Sequence, residues 1–192
     1  MRRCELSRKT KETDITVKLD LDGQGSVNID TGIGFFDHML TALGVHAGFD
    51  LDVSCKGDLY VDPHHSVEDT GIVLGQAFAK AVGDRSGIER YGSFFIPMDE
   101  ALCFCSLDIS GRPFLAFNAC FTNERVGEFD TCLTEEFFRA FAMNSGVTLH
   151  LREEYGKNDH HIIEAMFKAF AHALKAAVST TGGGVLSTKG VL

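Results

Sequence analysis

The hydrophobic positions change period along the chain, and the changes come in the same order twice. Val17, Leu19 and Leu21 alternate with polar and charged residues, which predicts a strand with one buried face. Leu102, Phe104, Leu107 and Ile109, followed by Phe114, Leu115 and Phe117, predict two strands joined as a hairpin around Gly111-Arg112-Pro113. Phe35 to Leu43 and Glu135 to Met143 have helical spacing. Phe49 to Val53 and Val147 to Leu151 each follow a glycine and alternate, as strands do. A second helix then starts after Asp62-Pro63 and after Lys157-Asn158-Asp159. Asp62 or Asp159 is its expected N-cap, and it runs to about Val82 and Val178.

Laid over one another, residues 34–82 match residues 132–178. His38 falls on Glu136 at an offset of 98 and His64 on His160 at 96, so a two-residue loop difference separates the copies. Upstream, Leu19-Asp20-Leu21-Asp22-Gly23 resembles Leu107-Asp108-Ile109-Ser110-Gly111. The pattern predicts an α+β fold built by internal duplication of a half-unit, an antiparallel-rich sheet with two helices packed on one face. The copies occupy about 1–90 and 91–180 of a single domain, with a glycine-rich tail over 181–192.

Composition narrows the function. A chain of 192 residues with 18 Lys and Arg against 27 Asp and Glu has a formal net charge of −9, which disfavours nucleic acid and anionic membranes as partners. A small anion is still compatible with a few gathered cations. No apolar stretch reaches the length of a membrane span and no apolar leader follows Met1, so a cytoplasmic location is expected. The six cysteines form no CxxC pair; Cys103 and Cys105 share one strand face and read as small reduced residues in a sheet. No G-x-S-x-G, GxGxxG or P-loop is present.

The chemistry concentrates in a His-His-x-x-Glu sequence at the start of a helix in both halves: His64, His65 and Glu68, then His160, His161 and Glu164. On a helix the first His and the Glu are four apart and the second His and the Glu three apart, so imidazole and carboxylate share a face. Neutral imidazole with carboxylate and no thiolate suits Mn²⁺, Fe²⁺ or Zn²⁺. Adjacent histidines point about 100° apart on a helix and are better placed to serve two metals than one. The preceding helices add His38 and, at the matching place, Glu136, giving eight candidate ligands for two sites of four. His46, His172 and His150 read as packing or surface residues. A metal-storage assembly and a metal-dependent hydrolase are alternatives that the same clusters would serve.

Several motifs resemble imidazoleglycerol-phosphate dehydratases. They are Arg8-Lys-Thr-Lys-Glu12-Thr, Gly34-Phe-Phe-Asp-His38-Met, Asp62-Pro-His64-His65-Ser-Val-Glu68-Asp, Lys157-Asn-Asp-His160-His161-Ile-Ile-Glu164 and Ser187-Thr-Lys189-Gly, spread over nearly the whole chain. The resemblance implies a hydro-lyase of histidine biosynthesis with two Mn²⁺ per active site, in a 24-subunit homo-oligomer with sites between subunits. It assigns one metal to His38, His65, His160 and Glu164, and the other to His64, Glu68, Glu136 and His161, with the two halves contributed by different subunits. The substrate has no carbonyl beside the hydrogen it loses, so its imidazole ring must act as the electron sink, through an imidazolate and a diazafulvene. The resemblance makes Glu12 the proton-transfer group, and Arg90, Arg112, Ser187 and Lys189 the phosphate-binding set. Phosphate cations and a proton-transfer group are what a storage protein would not need. One position departs from the family's frequent Glu-His-Phe-Phe: here it reads Glu135-Glu136-Phe137-Phe138, a carboxylate in place of an imidazole.

Overall fold

The computed structural model describes residues 2–188, so Lys189 lies outside the described residues. The first half runs β1 (Arg3–Lys9), β2 (Thr13–Asp20), β3 (Val27–Asp30), α1 (Gly34–Ala47), β4 (Asp50–Gly57) and α2 (His64–Val82). The second runs β5 (Tyr91–Met98), β6 (Ala101–Asp108), β7 (Phe114–Asn118), the short hairpin β8 (Arg125–Val126) and β9 (Phe129–Asp130), α3 (Leu133–Ser145), β10 (Thr148–Tyr155) and α4 (Asp159–Ala177). Sheet order is β1-β2-β4-β3 in one half and β5-β6-β10-β7 in the other. In both, three strands are antiparallel and the last is parallel to its neighbour.

Besides the two-residue difference before the second helix, the copies differ by one longer insertion. Arg3 corresponds to Tyr91 at an offset of 88 and Asp50 to Thr148 at an offset of 98, and the β8–β9 segment lies between those two registers. It is tied to the start of α4, where the buried carboxylate of Asp159 accepts N–H bonds from Thr122 and Asn123 at 2.6 to 3.2 Å. Burial opposes the charged form of Asp159, yet these donors hold its pKa below the ordinary value.

The expected hairpin between β6 and β7 does not form. β6 is already flanked by β5 and β10, so the chain turns at Gly111 (φ 75°) and places β7 beyond β10, parallel to it. A strand, helix and parallel strand therefore recur as β3-α1-β4 and as β7-α3-β10. Both expected N-caps are displaced by one residue, to Pro63 for α2, which offers no side-chain cap bond, and to Asn158 for α4. Asn158, not Asp159, accepts the N–H of His160 (3.0 Å), as Asp62 accepts that of His64 (2.7 Å).

Each sheet carries its helices on one face, α2 against β1, β2 and β4, and α4 against β5, β6 and β10. The halves then meet helix to helix, α1 on α4 and α2 on α3. Buried between sheet and helices, α4 is apolar nearly all round, with Ile162, Ile163, Met166, Phe167, Phe170 and Leu174 at most 2% exposed. Close approaches need glycine. A Cβ on Gly92 of β5 would lie 2.0 Å from the carbonyl oxygen of Ala173, and Cβ atoms on Gly71 and Gly75 would crowd the carbonyls of Phe137 and Phe141. Cys103 and Cys105 are free, fully buried thiols, and burial pushes both upward in pKa, Cys103 to about 12. Among the described residues no helix is long and apolar enough to cross a membrane.

Candidate metal centre

Because α1 packs on α4, residues from the two halves converge. His38 of α1 and His160 and Glu164 of α4 each offer a ligand atom within 4.8 Å of the other two. His38 Nε2 is 3.5 Å and His160 Nε2 3.2 Å from the same oxygen, Glu164 Oε2. The Phe35 ring packs edge-on against His160 with centroids 5.0 Å apart. Glu164 is 6% exposed. Burial alone would raise its pKa, but the Lys168 ammonium, 2.6 Å from Oε1, helps hold it below the ordinary value. A buried carboxylate with two imidazoles on its second oxygen, and no thiolate, is a donor set that fits a divalent cation such as Mn²⁺.

The other half carries a looser counterpart. Gly71 lies against Phe137 and Ala140, and Gly75 against Phe141 and Asn144, so α2 and α3 run side by side in the same direction. Their N-terminal turns therefore sit at the same end. His64 Nε2 and Glu68 Oε2 are 3.5 Å apart, whereas Glu136 is engaged by Arg139 one turn along its own helix, at 3.7 Å. Among the described residues, His38, His160 and Glu164 form the single three-member group of possible metal ligands.

The second histidine of each motif points elsewhere. His65 Nδ1 lies 3.1 Å from both carboxylate oxygens of Asp58, and His161 Nδ1 lies 2.7 Å from Glu100 Oε2. These bonds raise the pKa of both rings, and the bond from His161 leads the contacts that hold the Glu100 carboxyl down at about 2. The implied division of ligands is thereby revised. His38 meets His160 and Glu164 within one chain, not across subunits, because α1 and α4 are direct neighbours. Of the first implied set of four, this group lacks His65; of the second, only His64 and Glu68 are brought within 4 Å of each other. Asp58 and Glu100 escaped the sequence reading, although the offset of 88 that aligns the first strands also carries Glu12 onto Glu100.

Glu12 sits in the turn between β1 and β2, where Thr10 Oγ1 accepts the N–H of both Glu12 and Thr13. Its side chain is half exposed, with Oε1 4.0 Å from His65 Nε2. Arg90 is buried. It donates from Nε and Nη2 to the two oxygens of Asp108 (2.6 and 2.9 Å) and from Nη1 to the carbonyl of Leu186 in the tail (2.6 Å). Arg112 is exposed, with Nη2 3.7 Å from Asp108. The tail that bears Ser187 is thus held near both arginines through Leu186. Arg90 precedes β5 and Glu100 follows it, and an eight-residue strand spans about 26 Å. Within one chain, the phosphate candidates and the His161 end of the molecule are therefore far apart.

Comparison with known proteins identifies the family. A sequence model described as imidazoleglycerol-phosphate dehydratase matches residues 31–174. The imidazoleglycerol-phosphate dehydratases of Clostridium kluyveri and Gluconobacter oxydans are each 59% identical over this whole chain, covering 100% and 98% of those relatives. The crystal structure of the Staphylococcus aureus enzyme aligns with a TM-score of 0.85 at 43% identity, over 93% of this chain and 99% of that one. That of the Pyrococcus furiosus protein, solved in complex with (S)-C348, aligns at 0.85 and 36% identity, over 97% and 100%. Full-length similarity of this degree, on the same fold, establishes that the chain belongs to the imidazoleglycerol-phosphate dehydratase family.

Proposed function

We propose that this chain is a manganese-dependent hydro-lyase that dehydrates imidazoleglycerol phosphate to imidazole acetol phosphate in histidine biosynthesis, acting in the cytoplasm. The observation that carries the metal dependence is the convergence of His38 and His160 on one oxygen of the buried Glu164. Those three residues, with His65 from a neighbouring copy, hold one ion. His64, Glu68 and Glu136, with a neighbouring His161, hold the other. Two Mn²⁺ ions, when bound, supply the Lewis acidity that lets an imidazole ring accept electrons.

The rest is done by side chains. Glu12 protonates the departing hydroxyl and takes the hydrogen from the adjacent carbon, so one C–O and one C–H bond break and the resulting enol relaxes to the ketone. Arg90, Arg112, Ser187 and Lys189 hold the phosphate; the five donors of Arg90 are not exhausted by Asp108 and Leu186. The strand of about 26 Å that separates Arg90 from Glu100 supports a reading in which the phosphate cations and His161 serve one substrate from different copies, in a large homo-oligomer such as the family's 24-mer.

The deciding assay incubates metal-stripped protein with imidazoleglycerol phosphate, with and without added Mn²⁺, and follows the ketone. Product that forms only with metal supports the reading. Equal rates in both arms refute the metal dependence, and no product in either refutes the activity.

A further inference from the structure

We propose that Glu100 is a positioning residue that fixes His161 with its proton on Nδ1 and its Nε2 lone pair directed outward to a metal. The inference rests on the reading of His161 as a ligand and goes beyond it to the group that makes His161 competent. Glu100 Oε2 lies 2.7 Å from His161 Nδ1. Oε1 accepts the backbone N–H of Lys157 (3.2 Å) and Asn158 (2.8 Å), immediately before α4. A carboxylate can only accept at these positions, so Nδ1 must be the donor and the other ring nitrogen is left for coordination. The carboxylate is itself anchored. It sits in a two-residue turn, between Met98 and Ala101, whose first residue Asp99 has φ 48°, and its two backbone bonds hold the orienting group against the helix it orients.

Duplication explains why this role falls to Glu100. Glu12 and Glu100 are counterparts at the turns of the first hairpins, and each lies beside the second histidine of its own half. In the first half Asp58, directly after β4, takes His65 Nδ1, and Glu12 stands 4.0 Å from Nε2 without bonding to Nδ1. The place of Asp58 in the second half is taken by Gly156, which has no carboxylate to offer. Glu100 fills the vacancy. Of two equivalent glutamates, one orients a histidine and the other remains available for proton transfer.

The test is Glu100→Gln, titrated with Mn²⁺ while free ion is followed by electron paramagnetic resonance. Glutamine keeps Oε1 for the two backbone N–H groups but presents NH₂ to Nδ1, which favours the tautomer whose Nε2 carries the proton. Wild type should take up two ions per chain. In the variant one ion should bind as before and the other about 10- to 100-fold more weakly, with turnover restored when Mn²⁺ is raised to full occupancy. In a His161→Ala background the same substitution should add nothing. The inference is overturned if both ions bind the variant unchanged, if both weaken equally, if turnover stays low at full occupancy, or if the loss persists without His161. Wild type that binds no Mn²⁺ would refute the ligand assignment itself, and this inference with it.

Discussion

His46 Nδ1 and His172 Nε2 lie 3.3 Å apart, so one imidazole from each half of the duplication closes the interface between α1 and α4. The contact is compatible with two neutral rings, one donating and one accepting. Burial lowers the pKa of both below the ordinary 6.5, and for His46 the neighbouring Lys168 and His172 add to the effect.

The sign of the pH dependence follows. Below about pH 6.5 the unfolded chain takes up protons on these two residues that the native chain refuses, so stability is lost as pH falls from there towards the lowered native values. Above that window the pair contributes no slope. The midpoint of thermal unfolding should drop more steeply between pH 7 and 5.5 in the wild type than in a His46→Gln, His172→Gln double variant. Parallel pH profiles would show that the pair is not the source.

Glu12→Gln should reduce turnover by about 10²- to 10⁴-fold while leaving Mn²⁺ uptake unchanged. The side chain is half exposed and makes no buried contact whose loss could disturb the fold. Turnover near wild type would remove Glu12 from the reaction. This pattern is the opposite of that expected for its counterpart Glu100.

Arg90→Lys should raise KM about 10- to 100-fold with a smaller change in kcat. Lysine cannot reproduce the two-pronged bond to Asp108 together with the bond to Leu186. Steady-state kinetics separates the two parameters; a loss confined to kcat would argue against a role in binding phosphate.

Gly92→Ala should destabilise the protein by about 1–3 kcal/mol, because the new methyl would meet the Ala173 carbonyl and force β5 away from α4. Denaturant unfolding measures this directly. An unchanged midpoint would mean the strand shifts at no cost.

Legibility in the sequence followed the range of the interaction. His64 with Glu68, and His160 with Glu164, are pairs within one helix, and their spacing of four is enough to predict that they meet. That His38 joins the second pair depends on α1 packing against α4, which no period encodes. Glu100 lies in a turn, where there is no periodic signature at all. The β6–β7 hairpin was the natural expectation for sequence neighbours, but β10 arrives from 30 residues further on and takes the place beside β6. The edge strands β1 and β5 carry only a weak alternating signal. β1 buries only Cys4, Leu6 and Arg8 in part, and β5 has glycine where a core side chain would otherwise mark the inner face.

The brace between Asp159 and the inserted β8–β9 segment makes the two ligand-bearing helices unequal. At the position of Asp159 the first half has Pro63, whose ring nitrogen has no proton and whose side chain accepts nothing. The start of α2 is tied by Asp62 and by the contact of His65 with Asp58, while that of α4, which has matching ties to Asn158 and Glu100, is stapled to the inserted segment in addition. In amide hydrogen exchange the first turn of α2 should open sooner than that of α4. Under gentle chelation the ion held by His64 and Glu68 should then leave first, so that the two metals of one centre are lost in sequence.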